Sequence, residues 1–451
     1  MNGKRKHVHV AGNSKKVTIS PWVFRWPLFA LLVKIVILFN IPEYVWLGAD
    51  GASYVSGTNA ILTEGIFSKS QKLLYWPAGY PLIIALIAKV SLSLVAILLS
   101  LFQSILFAYA TYFFVRSMKS TSITKYSAAI SLIISVNPTL SLSSLVIGYE
   151  SLVASLLLLS IGLLFQRIST KNEALSLKHI LFISLLLGIS IFVQPRMALL
   201  SLGLFAVYIS SSENIRKASM FITISFVIMS LLPGALVLRN VVANDKAAIS
   251  TNFGTTMMIG AGNLSTGGPE IGWGDTGLNC LGGKDPSTLT ESEKIICVSE
   301  WYLTNPVKAA KLMFSKTVFY WSPWIGPLAK GTMNKNPWLK FDPVVILAKN
   351  PTGNQIVYGP IGIACSWIFL LGGWTALILG AYYLFGLGGR EWILGKFLLV
   401  PTLLGWLISL GTIGDHRFRI PQMGMSLTLQ LFGFIALREK FLKKGGASSD
   451  N

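Results

Sequence analysis

Between two apolar segments the chain carries a polar run, residues 49–81, reading ADGASYVSGTNAILTEGIFSKSQKLLYWPAGYP. The run holds an acid, Asp50, a base, Lys72, and the rings of Tyr54, Tyr75, Trp76 and Tyr80. A mere connection between membrane helices needs only a few polar residues, so a run this long and this equipped reads as one wall of an active site at a membrane surface. A carboxylate in such a place can accept a proton from an attacking hydroxyl. Further along come Glu150 after Gly148-Tyr149, Arg196 after Gln194-Pro195, Arg239 before Asn240, and the cluster His416-Arg417-Phe418-Arg419. A guanidinium presents a planar fork of donors that matches phosphate oxygens, and it stays charged. Each residue also has a plainer use. Asp50 and Glu150 can cap the helices that follow them, the arginines can anchor span ends, and Lys72 can be solvated.

The elements that must position these groups are membrane helices. The 451 residues are 53% hydrophobic and only 12% charged, against about 25% charged in ordinary soluble domains, and the mean hydropathy is +0.62. Apolar runs long enough to span recur along the whole length, without the alternation of barrel strands. The expected class is therefore all-α and polytopic, an integral protein whose first partner is the lipid bilayer. The net charge of +20 follows from Lys and Arg collecting in cytoplasmic loops, so a nucleic-acid partner is not needed to explain it.

Ten spans are expected, near 26–40, 92–115, 124–137, 143–165, 178–193, 197–210, 219–238, 357–385, 393–410 and 420–437. Residues 1–25 form a basic cytoplasmic tail with no cleavage site after the first apolar stretch, residues 26–437 the membrane domain, and 438–451 a second cytoplasmic tail. Inward-ending spans meet basic clusters such as Arg116 and Lys119, which supports both termini inside, in a cell (inner) membrane. The site then lies in two outer loops, 42–91 and 239–356. The first should contain interfacial helices over 52–64 and 80–90, with Tyr54, Thr58, Ile61 and Leu62 on one face and Gly65 as a stop. In the other large loop, Lys308, Lys311 and Lys316 interrupt 306–322, which reads as an amphipathic helix on the surface. Cys280 and Cys297 could pair if that loop faces an oxidising compartment, a staple worth roughly 3 kcal/mol. Cys365 falls in a span and should be packed. No metal-ligand spacing is present.

The order Asp50, Tyr54, Ala60, Leu62, Gly65 and Pro77-Ala78-Gly79-Tyr80-Pro81 resembles the first outer loop of the GT-C membrane glycosyltransferases, in the branch of protein O-mannosyltransferases and lipid A aminoarabinose transferases. Asn137-Pro138 with Gly148-Tyr149-Glu150, Gln194-Pro195-Arg196, Pro233 to Arg239-Asn240 followed by Ser250 to Gly254 and Gly260 to Asn263, and Asp415 to Pro421 resemble later segments of that family in the same order. The chain departs from the pattern at Pro233-Gly234 and at Gln194, and it lacks the carboxyl-terminal globular domain of some members. The resemblance implies transfer of one sugar from a polyprenyl-phosphate donor to an acceptor (lipid, protein or glycan) at the outer face, with inversion. It implies Asp50 as the catalytic carboxylate, with a divalent metal as a possible helper and no certain cofactor. It implies Arg239 and Arg417 or Arg419 as phosphate contacts, joined by Lys72. Tyr54, Tyr80, Glu150, Arg196, Asn240, Asn263 and His416 are the candidates for positioning the substrate. The competing readings are a transporter or flippase of a lipid-linked sugar, and an O-antigen-type polymerase or ligase. A transporter should gather ionisable residues at mid-membrane, whereas here they gather at one face.

Overall fold

The computed structural model describes residues 19–40, 50–169, 177–212, 215–269, 275–279, 288–323, 325–329 and 342–446. Among these residues there is no strand. The helices in chain order are α1 Trp22–Asn40, α2 Gly51–Glu64, α3 Gln71–Tyr75, α4 Gly79–Ala88, α5 Val95–Ser117, α6 Ser127–Val136, α7 Pro138–Leu142, α8 Glu150–Ser169, α9 Leu177–Val193 and α10 Met197–Ser211. They continue with α11 Ile215–Asn244, α12 Phe253–Ile259, α13 Glu291–Thr304, α14 Pro306–Trp321, α15 Pro343–Ala348, α16 Pro351–Tyr358, α17 Pro360–Leu387, α18 Gly389–Gly411 and α19 Ile420–Gly446.

Every segment expected to span contains a helix, but not every one has the length. Among the described residues seven helices are long and apolar enough to cross a membrane: α1, α5, α8, α11, α17, α18 and the helix entering α19. An eighth is a pair, Ser122–Val136 with Pro138–Leu145, bent by 56°. The bend has a local cause. Pro138 opens α7, and the Asn137 side chain caps that new helix by accepting from the Leu140 N–H at 3.0 Å, so the chain restarts at a new angle. The segments 178–193 and 197–210 appear as α9 and α10, of 17 and 15 residues, shorter than the roughly 20 residues that cross hydrocarbon upright.

The bundle is organised around α8, where 78% of the apolar window is buried, against 22% in α17 and 28% in both α1 and α11. α8 packs on α5, α9 and α19, and Leu157, Ile161, Leu164 and Phe165 join the main core. α17 lies along α19 at very close range. A Cβ on Gly380 would sit 1.8 Å from the Leu429 carbonyl oxygen, and one on Gly433 would sit 1.9 Å from that of Ala376. Small residues let helix backbones approach this closely inside a membrane.

Two expectations are corrected here. Cys365 is not packed: it points outward from α17 and is exposed. Lys316 does not ride on a surface with Lys308 and Lys311: it is fully buried, because α14 packs on α18 and on the turn before α19. The expected Cys280–Cys297 pairing involves Cys280, which lies outside the described residues.

Candidate active site

The first polar run folds as a short helical layer of α2, α3 and α4, the last two residues off the expected 80–90 and α3 unforeseen. Asp50 occupies the N-cap position of α2, yet its side chain makes no capping hydrogen bond. The carboxylate turns away from its own helix and meets Arg417. Of the residues expected on one face of α2, Tyr54, Thr58 and Ile61 are buried and Leu62 is half-buried. Gly65 ends the helix at φ +88°, and its N–H donates to the Ile61 carbonyl at 3.0 Å, the left-handed stop that glycine adopts without strain.

Arg417 lies in a single 3-10 turn, His416–Arg419, between α18 and α19. Asp415 builds the turn by accepting from the Arg417 N–H at 2.9 Å. The guanidinium then divides its donors. Nε donates to Glu150 Oε1 and one terminal nitrogen donates to Asp50 Oδ2. Residues 50, 150 and 417 thus meet where the N-terminal ends of α2 and α8 face the start of α19. Glu150 and Arg417 are enclosed, with side chains 7% and 6% exposed, whereas Asp50 keeps 20% of its side chain open. Of the two carboxylates, Asp50 is the one an incoming group can reach.

Aromatic rings pack around this ion triad. Tyr54 sits edge-on to Tyr80 at 5.1 Å, to Trp76 at 5.9 Å and to Tyr149 at 6.5 Å, and the Arg417 guanidinium lies 5.6 Å from the Tyr149 ring centre. Burial, and after it the Asp50 carboxylate, pushes the Tyr54 hydroxyl well above the usual phenol range, so it stays a proton donor. Burial also raises Tyr149, while the Arg196 and Arg417 charges pull it back. Tyr80 is fully buried. Its hydroxyl accepts from the Gly148 N–H at 2.9 Å and donates to Gln103 Oε1 at 3.1 Å. The Gln103 amide nitrogen in turn donates to the Ser144 and Val146 carbonyls, both at 3.2 Å. Tyr80 and Gln103 therefore hold the turn that presents Glu150. Gly148 is part of that device: a Cβ there would fall 2.5 Å from Glu150 Oε2.

The other sequence candidates separate. Arg196 stands beside the triad with its guanidinium 3.7 Å from the Phe418 ring centre, and among the described residues no carboxylate pairs with it. His416 is buried with Nδ1 3.9 Å from Asp415 Oδ1. Arg419 leaves the triad: it donates to the Trp321 carbonyl at 2.9 Å and lies over the Trp321 ring. The buried hydroxyl of Tyr320 lies within electrostatic reach of both Arg196 and Arg419 and, among the described residues, has no hydrogen-bond partner.

Arg239 is elsewhere again. Its donors go to the backbone carbonyls of Ile66, Ser68 and Leu73 and to Asn240 Oδ1. Asn240 donates to the carbonyls of Ala248 at 2.7 Å and Ile249 at 3.1 Å. The pair works as a strut that fixes residues 66–73 and 248–249 to the end of α11. Asn263 accepts from Lys308 Nζ at 2.9 Å, and Lys72 is exposed on α3.

Three contributors escaped the sequence reading: Gln103, Tyr320 and Lys316. Gln103 carried a signal, since it is an amide in the first half of a mostly apolar span, and such groups inside a membrane bundle are costly unless used. Lys316 Nζ donates to the Tyr302 hydroxyl at 2.6 Å and to the Leu410 carbonyl at 2.8 Å, placing its donors at the carbonyls that end α18. Gly260, Gly267 and Gly414 all clear space for it, for a Cβ on each would lie within 3.2 Å of a Lys316 atom.

A divalent metal has no fitting donor set here. The Arg417 fork already stands between Asp50 and Glu150, where a bridging cation would be, and among the described residues no three His, Cys, Asp or Glu side chains come together. No protein-family model, curated protein or solved structure matches the chain.

Proposed function

We propose that the protein is a membrane glycosyltransferase that moves a single sugar from a polyprenyl-phosphate donor to an acceptor hydroxyl, with inversion. The observation that carries this reading is the meeting of Asp50, Glu150 and Arg417, from three distant parts of the sequence, with Asp50 left open and unused by its own helix. In one displacement the acceptor oxygen attacks the anomeric carbon as its proton passes to Asp50. The bond from that carbon to the phosphate oxygen breaks through an oxocarbenium-like state, and the phosphate leaves with the electron pair. Arg417 aims Asp50, and Glu150 holds Arg417. Arg196, the cation beside the triad that has no carboxylate partner among the described residues, is placed to take the charge that grows on the leaving phosphate.

In this reading α9, α10 and the bent pair each cross the bilayer, giving ten spans with both termini cytoplasmic and the triad at the extracytoplasmic face. The acceptor is a hydroxyl of a lipid, protein or glycan. The test uses the full chain reconstituted in liposomes with a panel of radiolabelled polyprenyl-phosphate monosaccharides. Wild-type protein should move the label, and Asp50→Asn should lower transfer by about 10²–10⁴-fold at unchanged folded yield. Full transfer by that variant removes Asp50 from the chemistry, and no transfer from any donor removes the reading.

One observation favours the transporter reading. Lys34 is buried within α1, bonded to the Ser144 hydroxyl at 3.1 Å, and an ionisable group inside a span often marks a translocation path. Movement of intact labelled donor between leaflets, without transfer, would select that reading.

A further inference from the structure

A polar cluster that the transfer chemistry does not use lies within electrostatic reach of Asp50. Its centre is Tyr75, the half-buried last residue of α3. Burial raises the Tyr75 hydroxyl above the usual phenol range, a hydrogen bond with the Thr255 side chain opposes that, and the Glu291 and Asp50 carboxylates add to it. One phenol thus senses a carboxylate of the triad and another from α13. Lys294 Nζ donates to Thr255 Oγ1 at 3.1 Å and to Glu291 Oε1 at 3.2 Å. Glu291 Oε2 accepts from the Gly254 N–H at 2.7 Å. The approach is close enough to need glycine, for a Cβ at 254 would lie 2.9 Å from Lys294 Cβ and 3.0 Å from Glu291 Oε2. The Thr251 N–H donates to the Leu74 carbonyl at 3.0 Å, which pins the segment before α12 to the end of α3. The Arg239–Asn240 strut holds the residues just before both, 66–73 and 248–249.

The chemistry of this shelf decides what fits it. Glu291 and Lys294 are partly enclosed, and an ion pair so placed adds little to stability. As a pair they are neutral and offer no net attraction to a phosphate. Together with Tyr75 and Thr255 they present carboxylate oxygens that accept, ammonium hydrogens that donate and hydroxyls that do both. Neighbouring hydroxyls on a sugar ring use that mixture, whereas the lone hydroxyl of a serine or a fatty alcohol uses one partner of it. The half-buried rings of Tyr75 and Trp76, edge to face at 5.2 Å, add apolar surface for the C–H face of a sugar. The side is also defined. A row of rings runs Tyr149, Tyr54, Trp76, Tyr75, with Arg196 acting on its first member and the shelf at its last. Inversion puts the attacking oxygen and the leaving phosphate on opposite faces of the anomeric carbon, so the end of the row away from Arg196 is the acceptor's.

We infer that Tyr75, Thr255, Glu291 and Lys294 form a subsite for a sugar ring that accepts the transfer, so that the acceptor hydroxyl belongs to a glycan. The inference rests on the transferase reading for the role of acceptor, while the holding of a sugar beside Asp50 needs no transfer. It gives the Arg239 strut a purpose as well, since the segments it fixes are those that carry Tyr75 and Thr255.

The test is saturation-transfer NMR on the full chain in lipid nanodiscs, without donor. The probes are the methyl glycosides of glucose, galactose and mannose, with cyclohexanol and glycerol phosphate as controls. At least one glycoside should take up saturation on its ring C–H protons well above both controls. Tyr75→Phe, which keeps the ring, and Glu291→Gln, which keeps the shape, should each weaken that binding by about tenfold, the worth of one hydrogen bond to a charged or buried group. Gly372→Ala, where a Cβ meets nothing, should bind as wild type. No glycoside above the controls, or unchanged binding in both Tyr75→Phe and Glu291→Gln, overturns the subsite. Glycerol phosphate matching the glycosides overturns the preference for a neutral ring. With the bound glycoside as acceptor in the liposome assay, both variants should raise the acceptor KM and leave the donor KM unchanged, and a raised donor KM instead overturns the assignment to the acceptor. Because binding is read without donor, a wild-type protein that binds a glycoside and transfers nothing would sink the transferase reading and leave the sugar site standing.

Discussion

Removing Arg417 should hurt the fold more than removing Asp50, and the difference can be worked from burial. Arg417 and Glu150 are nearly enclosed, whereas Asp50 keeps a fifth of its side chain open. Two unit charges 4 Å apart attract by about 4 kcal/mol at an effective dielectric constant near 20, but much of that replaces lost hydration. The observable quantity is the penalty of stranding a buried charge, about 3–5 kcal/mol when one partner of a buried pair is removed. Arg417→Gln and Glu150→Gln should each destabilise by about that much. The double variant should lose far less than their sum, giving a coupling of roughly 2–3 kcal/mol. Asp50→Asn, nearer water, should cost only about 1 kcal/mol while removing transfer. The assay is unfolding of the detergent-solubilised protein by SDS titration, followed by tryptophan fluorescence, with label transfer measured on the same preparations. Additive effects of Arg417→Gln and Glu150→Gln would refute the triad as an energetic unit. An Asp50→Asn variant as unstable as Glu150→Gln would refute the division between a reachable carboxylate and an enclosed one.

Three further outcomes are expected. Burial lowers Lys316 from 10.5 to about 7. Between those values the unfolded chain holds a proton that the folded chain has released, so folding stability should rise with pH from 7 to 9.5 by up to about 1.4 kcal/mol per unit. Lys316→Met should flatten that rise in pH-dependent unfolding, and an unchanged slope would place the lysine in water; above pH 10 Tyr302, pushed up to about 12, acts in the opposite sense. Arg239→Ala should release the carbonyls of Ile66, Ser68 and Leu73 and make limited trypsin cleave at Lys69 and Lys72 at least tenfold faster in sealed vesicles, where an unaltered cleavage rate would argue against the strut. Gly148→Ala drives a methyl against Glu150 Oε2, and because an error of about 1 Å in a catalytic array can cost about 10²-fold, transfer should fall by that order while Gly372→Ala, which meets nothing, transfers normally.

How much of this was legible in the sequence depends on the range of the interaction. The all-helical class and the helical segments could be read because hydropathy is local. The ends at Asn137-Pro138 and Gln194-Pro195 were legible too, whereas the 56° bend of the Ser122–Leu145 pair was not, because it comes from backbone geometry rather than polarity. Asp50, Glu150, Arg417 and Arg196 stood out as charged types at segment ends, but nothing in their spacing says that 50, 150 and 417 touch. Spacing alone favoured the cap for Asp50, and the absence of a side-chain cap bond speaks against that use. Arg239 was legible as a cation near the loop and illegible as a strut, because its acceptors are mainly backbone carbonyls, which every residue carries. Lys316 shared a helix with Lys308 and Lys311 and looked like them. The three glycines that make room for it lie up to 154 residues apart, from 260 to 414.

The triad also says something about what the fold is for. Replacing a buried ion pair or triad by apolar residues of similar size is often neutral or stabilising by about 1–4 kcal/mol, so Arg417 between two carboxylates is a poor way to hold helices together. The bundle already has close packing where it needs adhesion, as Gly380 and Gly433 show. Asp415, Tyr80, Gln103 and Gly148 nevertheless fix the turns on which Arg417 and Glu150 ride. Four devices spent on aiming one guanidinium make sense if the direction of the Asp50 carboxylate matters more than the stability its partner contributes. An apolar variant, Glu150→Leu with Arg417→Met, separates the two uses: it should match or exceed the wild-type resistance to SDS and should transfer no label. Retained transfer in so stable a variant would make the triad a mere fastening, and Asp50 would lose its claim to the chemistry.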